Sequence, residues 1–231
     1  MTWHAVHKKI TPYIVRIEMQ NGMGTGFFLD CTKNKILAFI ATAAHVVEKS
    51  YESDHPIKII HYESGNEATL MKGYFGVISN TERDSAMIFF SSKLLPFPEV
   101  PLPMINPKKI KKVGVEVAWV GFPSVTYPDP TLCFFKGSVS AFHFEQDYYL
   151  IDGVAINGVS GGPVFVDNNN TPEVVGIITA YRSNLSKGRL LPGLAQAQDV
   201  SSFHEWISNI RSWEEAKKEE AKIKESLKPR F

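Results

Sequence analysis

Nowhere in this chain of 231 residues does an apolar run reach the ~18 residues that a membrane-spanning helix needs, so no transmembrane segment is expected. The first nineteen residues, MTWHAVHKKITPYIVRIEM, lack the apolar core of a secretory leader, and a cytoplasmic protein is expected. Charge of one sign is missing too. Lys and Arg total 25 against 24 Asp and Glu, a formal net charge of +1. Such a balance gives no field to steer the chain onto nucleic acid or an anionic membrane, and no basic stripe offsets it. Cysteine is scarce: Cys31 and Cys133 lie far apart, in no CxxC and at no zinc-like spacing, and read as two free thiols. Neither a metal nor a cofactor is expected. What remains is ordinary globular composition, 44% hydrophobic and 21% charged.

Short β-like segments fill the first 200 residues. Tyr13–Met19, Gly26–Leu29, Ile36–Ile40, Ile57–Ile60 and Met87–Phe90 are β-branched or aromatic and are separated by Gly, Asn and Asp. Residues 96–112, PFPEVPLPMINPKKIKK, are too rich in proline for a central strand and read as a surface connector. Strand patterns resume at Val113–Val120, Cys133–Phe135, Val139–Phe142, Tyr148–Ile151, Pro163–Val166 and Val174–Ile178. Two blocks of short strands on either side of one connector suggest two small barrels or sandwiches in tandem. The end is different. Phe203, Trp206, Ile207, Ile210 and Trp213 recur at helical spacing, with Ser202 and Glu205 placed as a capping box. Glu214–Lys218 and Glu220–Lys224 have the order that supports an exposed helix. The expected helix over 202–228 docks by its aromatic half, and its exposed length makes it a candidate for self-association.

Three short segments carry chemistry. In Asn157-Gly158-Val159-Ser160-Gly161-Gly162-Pro163, glycines surround a serine and permit a turn that other residues enter only with strain. Such a turn can aim the N–H groups of Gly158 and Ser160 at a developing oxyanion. Taken alone, the segment could equally be a glycine-rich hairpin. In Ala41-Thr42-Ala43-Ala44-His45, a histidine ends an apolar strand pattern, where a satisfied strand-end histidine is the plainer reading. In Arg83-Asp84-Ser85-Ala86, an aspartate precedes a buried strand, a usual place for a turn residue.

Taken in order, small-Ala-Ala-His, Asp-x-Ala and Gly-x-Ser-Gly-Gly-Pro resemble the trypsin/chymotrypsin-like serine peptidases, in particular the stand-alone bacterial type related to the Deg/HtrA protease domain. His45 and Asp84 are separated by 39 residues, Asp84 and Ser160 by 76. Gly24-Thr25-Gly26-Phe27, Val117–Pro123, Gly137-Ser138-Val139-Ser140 and Val175–Ala180 resemble further strands of that family, so the likeness runs over about residues 10–200. It implies an all-β fold of two antiparallel six-stranded Greek-key barrels with a C-terminal helix. Residues 1–103 would form the first barrel, 104–112 the linker, 113–200 the second barrel and 201–231 the helix.

The resemblance also implies a Ser160–His45–Asp84 triad, an oxyanion hole of the Gly158 and Ser160 N–H groups, and a protein or peptide substrate lying along residues 177–181. Val154, Thr179, Ala180 and Tyr181 would contact it, with the 182–194 segment also placed to shape the pocket. Two departures stand out. Val159 replaces the aspartate that pairs with a newly cut N-terminus in digestive relatives, so activation by N-terminal processing is not expected. Val154 replaces an acidic pocket base, which argues for a small or medium apolar residue before the scissile bond. About 30 residues follow the second barrel, fewer than a domain needs, and no attached peptide-binding module is expected. The alternative reading is a catalytically silent binding or scaffold module on the same fold.

Overall fold

The structure, a computed structural model, describes residues 3–20, 22–109, 111–186 and 189–226. A short helix α1 (Trp3–Ile10) leads into β1 (Ile14–Met19), β2 (Gly22–Cys31) and β3 (Leu37–Thr42). Helix α2 (Ala44–Glu52) follows, then β4 (Ile57–His61), β5 (Glu67–Leu70), β6 (Phe75–Asn80) and β7 (Ser85–Ser91). After the proline-rich connector come β8 (Glu116–Gly121), β9 (Cys133–His143), β10 (Tyr148–Asp152), β11 (Pro163–Asn168), β12 (Thr171–Ser186) and β13 (Arg189–Asp199). Helix α3 (Ser201–Ser226) ends the chain.

The second block closes into a six-stranded barrel, ordered β10-β13-β12-β11-β8-β9. The first does not match the expected six-stranded barrel. It is a seven-stranded antiparallel sheet, ordered β5-β4-β1-β2-β3-β7-β6. Its two edge strands, β5 and β6, are consecutive in the chain and joined only by residues 71–74. So short a link forces the sheet to curl until its edges approach, but among the described residues no ladder closes it. The fold is therefore mostly β: one closed barrel, one curled half-barrel and a C-terminal helix.

Alternation along the strands builds the core. In β4 the burial pattern alternates strictly, with Ile57, Ile59 and His61 inside. Phe27, Phe39 and Phe90 fill the first sheet, and Trp119, Tyr149 and Phe165 the barrel. The connector is not wholly at the surface: it bridges from Met104 to Val174 and buries Leu102 and Ile105 in the core. Helix α1 lays Trp3 against Phe134 and Phe165 of the barrel. Among the described residues no helix is long and apolar enough to cross a membrane.

Helix α3 leaves the barrel and reaches back to the first sheet. Phe203 is fully buried, Arg211 pairs with Asp30 at 2.8 Å, and Lys33 pairs with Glu215 at 2.6 Å. Two expectations about this helix need correction. Its start is held by Asp199, whose carboxylate accepts from the Ser201 N–H and hydroxyl, so Ser202 lies inside the helix rather than at its cap. Trp213 is exposed, with the Lys217 ammonium 4.2 Å from its ring, so it lies off the docked face, which continues past it through Glu214 and Glu215 on Lys33. Residues 227–228 of the expected 202–228 helix lie outside the described residues.

Candidate active site

His45 does not end a strand. It sits in the first turn of α2, three residues beyond the last residue of β3. A helix start leaves backbone N–H groups without partners, and the residue before this one, Ala43, has no side chain to cap them. Asp84 does so from 39 residues away. Its carbonyl accepts from Ala44 N at 3.2 Å, and its carboxylate Oδ1 accepts from His45 N at 2.9 Å. A carboxylate at a helix N-terminus is also electrostatically favoured.

The other carboxylate oxygen, Oδ2, lies 2.7 Å from His45 Nδ1. An ionised carboxylate only accepts, so Nδ1 carries the proton and Nε2 keeps its lone pair in the neutral ring. Asp84 itself has φ of +45°, the left-handed region that aspartate tolerates better than most residues. Backbone strain of this kind is common where a side chain must be aimed.

Ser160 reaches the site on the loop between β10 and β11. Two glycines shape that loop. Gly158 has φ of +93°, and a Cβ there would stand 2.2 Å from the Phe122 carbonyl oxygen. Gly161 has φ of +84°, and its Cβ would stand 2.2 Å from the Thr25 carbonyl oxygen. Only glycine fits either place. Gly161 N donates to Ile178 O at 2.7 Å and Ile178 N to Gly162 O at 2.9 Å, so the loop leans on β12. Among the described residues the N–H groups of Gly158 and Ser160 donate to nothing, and Ser160 Oγ is not hydrogen-bonded to His45.

His45, Ser160 and Gly158 line one cavity of about 520 Å³, walled on the other side by α2 and the β1–β2 hairpin through Met19, Met23 and Lys49. A larger cavity, about 670 Å³, lies beside Trp3, Lys111 and Glu173 and shares no residue with it. Among the described residues no three His, Cys, Asp or Glu side chains are grouped to hold a metal ion.

A family model described as the trypsin-like peptidase domain matches residues 24–177. The chain belongs to this family. Among solved structures, a serine endoprotease from Yersinia pestis superposes with a TM-score of 0.65 at 18% identity. It covers 91% of this chain, which in turn spans 66% of it. The HtrA-type protease AlgW with tripeptide gives 0.64 at 15% identity, over 91% of this chain and 64% of that one. The chain thus spans about two thirds of the length of these structures, and at such identities the likeness is one of fold. No curated protein matches it in sequence.

Within this trypsin-like peptidase domain, the residues expected to contact substrate lie apart from the cavity. Val154 is 52% exposed, on the segment after β10. Thr179, Ala180 and Tyr181 follow the point where β11 ends its pairing, at Pro163 and Ile177, so there β12 pairs only with β13 among the described residues. The Thr179 hydroxyl is buried without a hydrogen-bond partner, and the Tyr181 hydroxyl accepts from Gly193 N. In the 182–194 segment, residues 187 and 188 lie outside the described residues.

Sequence reasoning missed Thr25. It is fully buried in β2 and ties the two halves of the site together. Its N–H donates to Ser160 O at 2.9 Å, and its hydroxyl donates to Gly158 O at 2.8 Å while accepting from Phe122 N at 3.0 Å. Its own carbonyl accepts from the Thr42 hydroxyl at 2.8 Å. The available signal was one polar residue between two glycines in an apolar strand. Thr25→Val keeps the shape but strips partners from a buried N–H and a buried carbonyl, which costs about 1–3 kcal/mol. Urea unfolding should show that loss. Turnover should fall about 10–100-fold, because small displacements of a reacting group are expensive. Thr25→Ser should recover most of both; a fully wild-type valine variant would show that the tie is dispensable.

Proposed function

We propose that this chain is a serine endopeptidase working through Ser160, His45 and Asp84. The observation that carries the reading is the two-point grip of Asp84 on His45, 2.9 Å to the backbone and 2.7 Å to Nδ1, beside a serine whose loop offers two undonated N–H groups. Ser160 Oγ attacks the scissile carbonyl carbon while His45 Nε2 takes its proton. The new oxyanion accepts from the N–H groups of Gly158 and Ser160. Nε2 then passes the proton to the leaving amine, and water, activated by the same imidazole, releases the acid from the acyl-enzyme. Asp84 fixes the tautomer and steadies the imidazolium. The substrate would add as an extended strand to the open edge of β12 at Thr179–Tyr181.

Val159 supports activity without N-terminal processing. It is fully buried and packs on Gly121, so apolar contact and Thr25 hold the loop where an ion pair does so in digestive relatives. Val154 supports cleavage after small or medium apolar residues. A peptide library digested by the wild-type chain, with Ser160→Ala as the blank, tests both reaction and preference. Internal cuts after alanine, valine or leucine are expected. Cuts mainly after lysine or arginine would overturn the preference, and no Ser160-dependent cut would favour a silent binding module.

A further inference from the structure

The hairpin turn that presents Asp84 belongs to the first sheet, yet its neighbour Arg83 is bound to the other half of the molecule. One guanidinium nitrogen, Nη2, meets Asp147 Oδ2 at 2.5 Å. The other, Nη1, donates to the Ser201 hydroxyl at 2.5 Å. Asp147 stands in the β9–β10 turn and Ser201 opens α3, so one side chain joins the β6–β7 hairpin to the barrel and the C-terminal helix.

The receiving side is well fixed. The Asp147 carbonyl accepts from Asp199 N at 3.0 Å and from Gln198 Nε2 at 2.8 Å. Ser201 gives its hydroxyl proton to Asp199 Oδ1 at 2.6 Å, which leaves its lone pairs for Arg83. Asp199 is only 6% exposed. Arg83's own backbone is equally held: its N–H donates to Asn80 Oδ1 at 3.0 Å and its carbonyl accepts from the Ser85 hydroxyl at 3.1 Å.

By contrast, the backbone bonds of Asp84 itself are long, 3.3 Å to Thr81 O and 3.2 Å from Ala44 N. A residue in the left-handed region on such bonds needs support from its neighbour. Thr25 sets the Ser160 loop against the first sheet; Arg83 is placed to set the Asp84 hairpin against the second barrel.

We propose that Arg83 is a positioning residue for the reaction, acting through Asp84, with Asp147 and Ser201 as its anchor. The role rests on the triad reading given above. A planar guanidinium holding two acceptors at once fixes direction as well as distance, and a lysine ammonium reproduces only part of that.

An alkyl fluorophosphonate, titrated against the full chain, separates maximal inactivation rate from apparent affinity. Arg83→Gln is expected to lower the maximal rate about 10–100-fold with apparent affinity nearly unchanged. Arg83→Lys should recover part of the rate. Asp147→Asn should lower it less, and the double variant should be no worse than Arg83→Gln alone, since the Arg83–Asp147 contact that Asp147→Asn weakens is already lost in Arg83→Gln. Should Arg83→Gln fail to fold, Asp147→Asn decides, with a several-fold loss expected. Wild-type rates in variants that merely melt earlier would overturn the proposal and leave Arg83 a structural tie. A wild-type chain that shows no Ser160-dependent inactivation would overturn the triad reading, and this role with it.

Discussion

Ser160→Ala and His45→Ala should each remove nearly all turnover, about 10⁴–10⁶-fold, while leaving the fold intact. The reason lies in how the groups depend on one another. Without the hydroxyl there is nothing for Nε2 to deprotonate; without Nε2 the hydroxyl stays a weak nucleophile. The double variant should therefore be scarcely worse than either single one, a non-additivity that independent contributions would not produce. Asp84→Asn should cost about 10⁴-fold for a different reason. An amide can accept at one atom and donate at the other, so it can turn its NH₂ toward Nδ1 and stabilise the wrong tautomer. The 2.9 Å bond from His45 N to Oδ1 would still hold the helix start, so little stability should be lost. Initial rates on a peptide ester, with thermal melts beside them, check all four variants.

Gly158→Ala should lower turnover about 10²–10³-fold, the usual effect of losing one oxyanion donor. The added methyl would stand 2.2 Å from the Phe122 carbonyl oxygen, backbone that cannot turn aside, at φ of +93°. Relief comes only by moving the loop, and the Gly158 N–H moves with it. Gly161→Ala meets the Thr25 carbonyl in the same way and should behave alike. Gly114 supplies the control. Its φ is +85°, but nothing lies within 4 Å of a built Cβ. Gly114→Ala should lose stability through backbone strain and keep wild-type turnover in its folded form. If Gly114→Ala were as inactive as Gly158→Ala, general destabilisation would explain both, and the oxyanion assignment would fail.

The sequence was most readable where chemistry and backbone demands coincide. The glycines flanking Ser160 are needed for positive φ and close packing, so they stand out whatever the rest of the chain does. Strands such as Val117–Val120 and Pro163–Val166 were legible because both faces are buried. Legibility failed where a partner is distant in the chain. The run from Ala41 to Val47 looks like a strand end because nothing local caps a helix there; the cap is Asp84. Arg83 reads as an ordinary turn residue, since its partners lie 64 and 118 residues away. Thr25 looks like one more strand residue until Gly158 and Phe122 close around it. The two edge strands of the first sheet, Glu67–Leu70 and Phe75–Asn80, are hard to read because they are short and partly polar, with the weak patterning of sheet edges. Trp213 fits a helical face by spacing, but it is exposed while Glu214 and Glu215 beside it hold Lys33.

The most direct test of the central claim is covalent labelling of the intact, unprocessed chain with a fluorophosphonate, read by whole-protein mass. The account predicts one adduct per chain, lost in Ser160→Ala and much slowed in His45→Ala. A folded wild-type chain that takes up no label, or takes it up equally without Ser160, would contradict it.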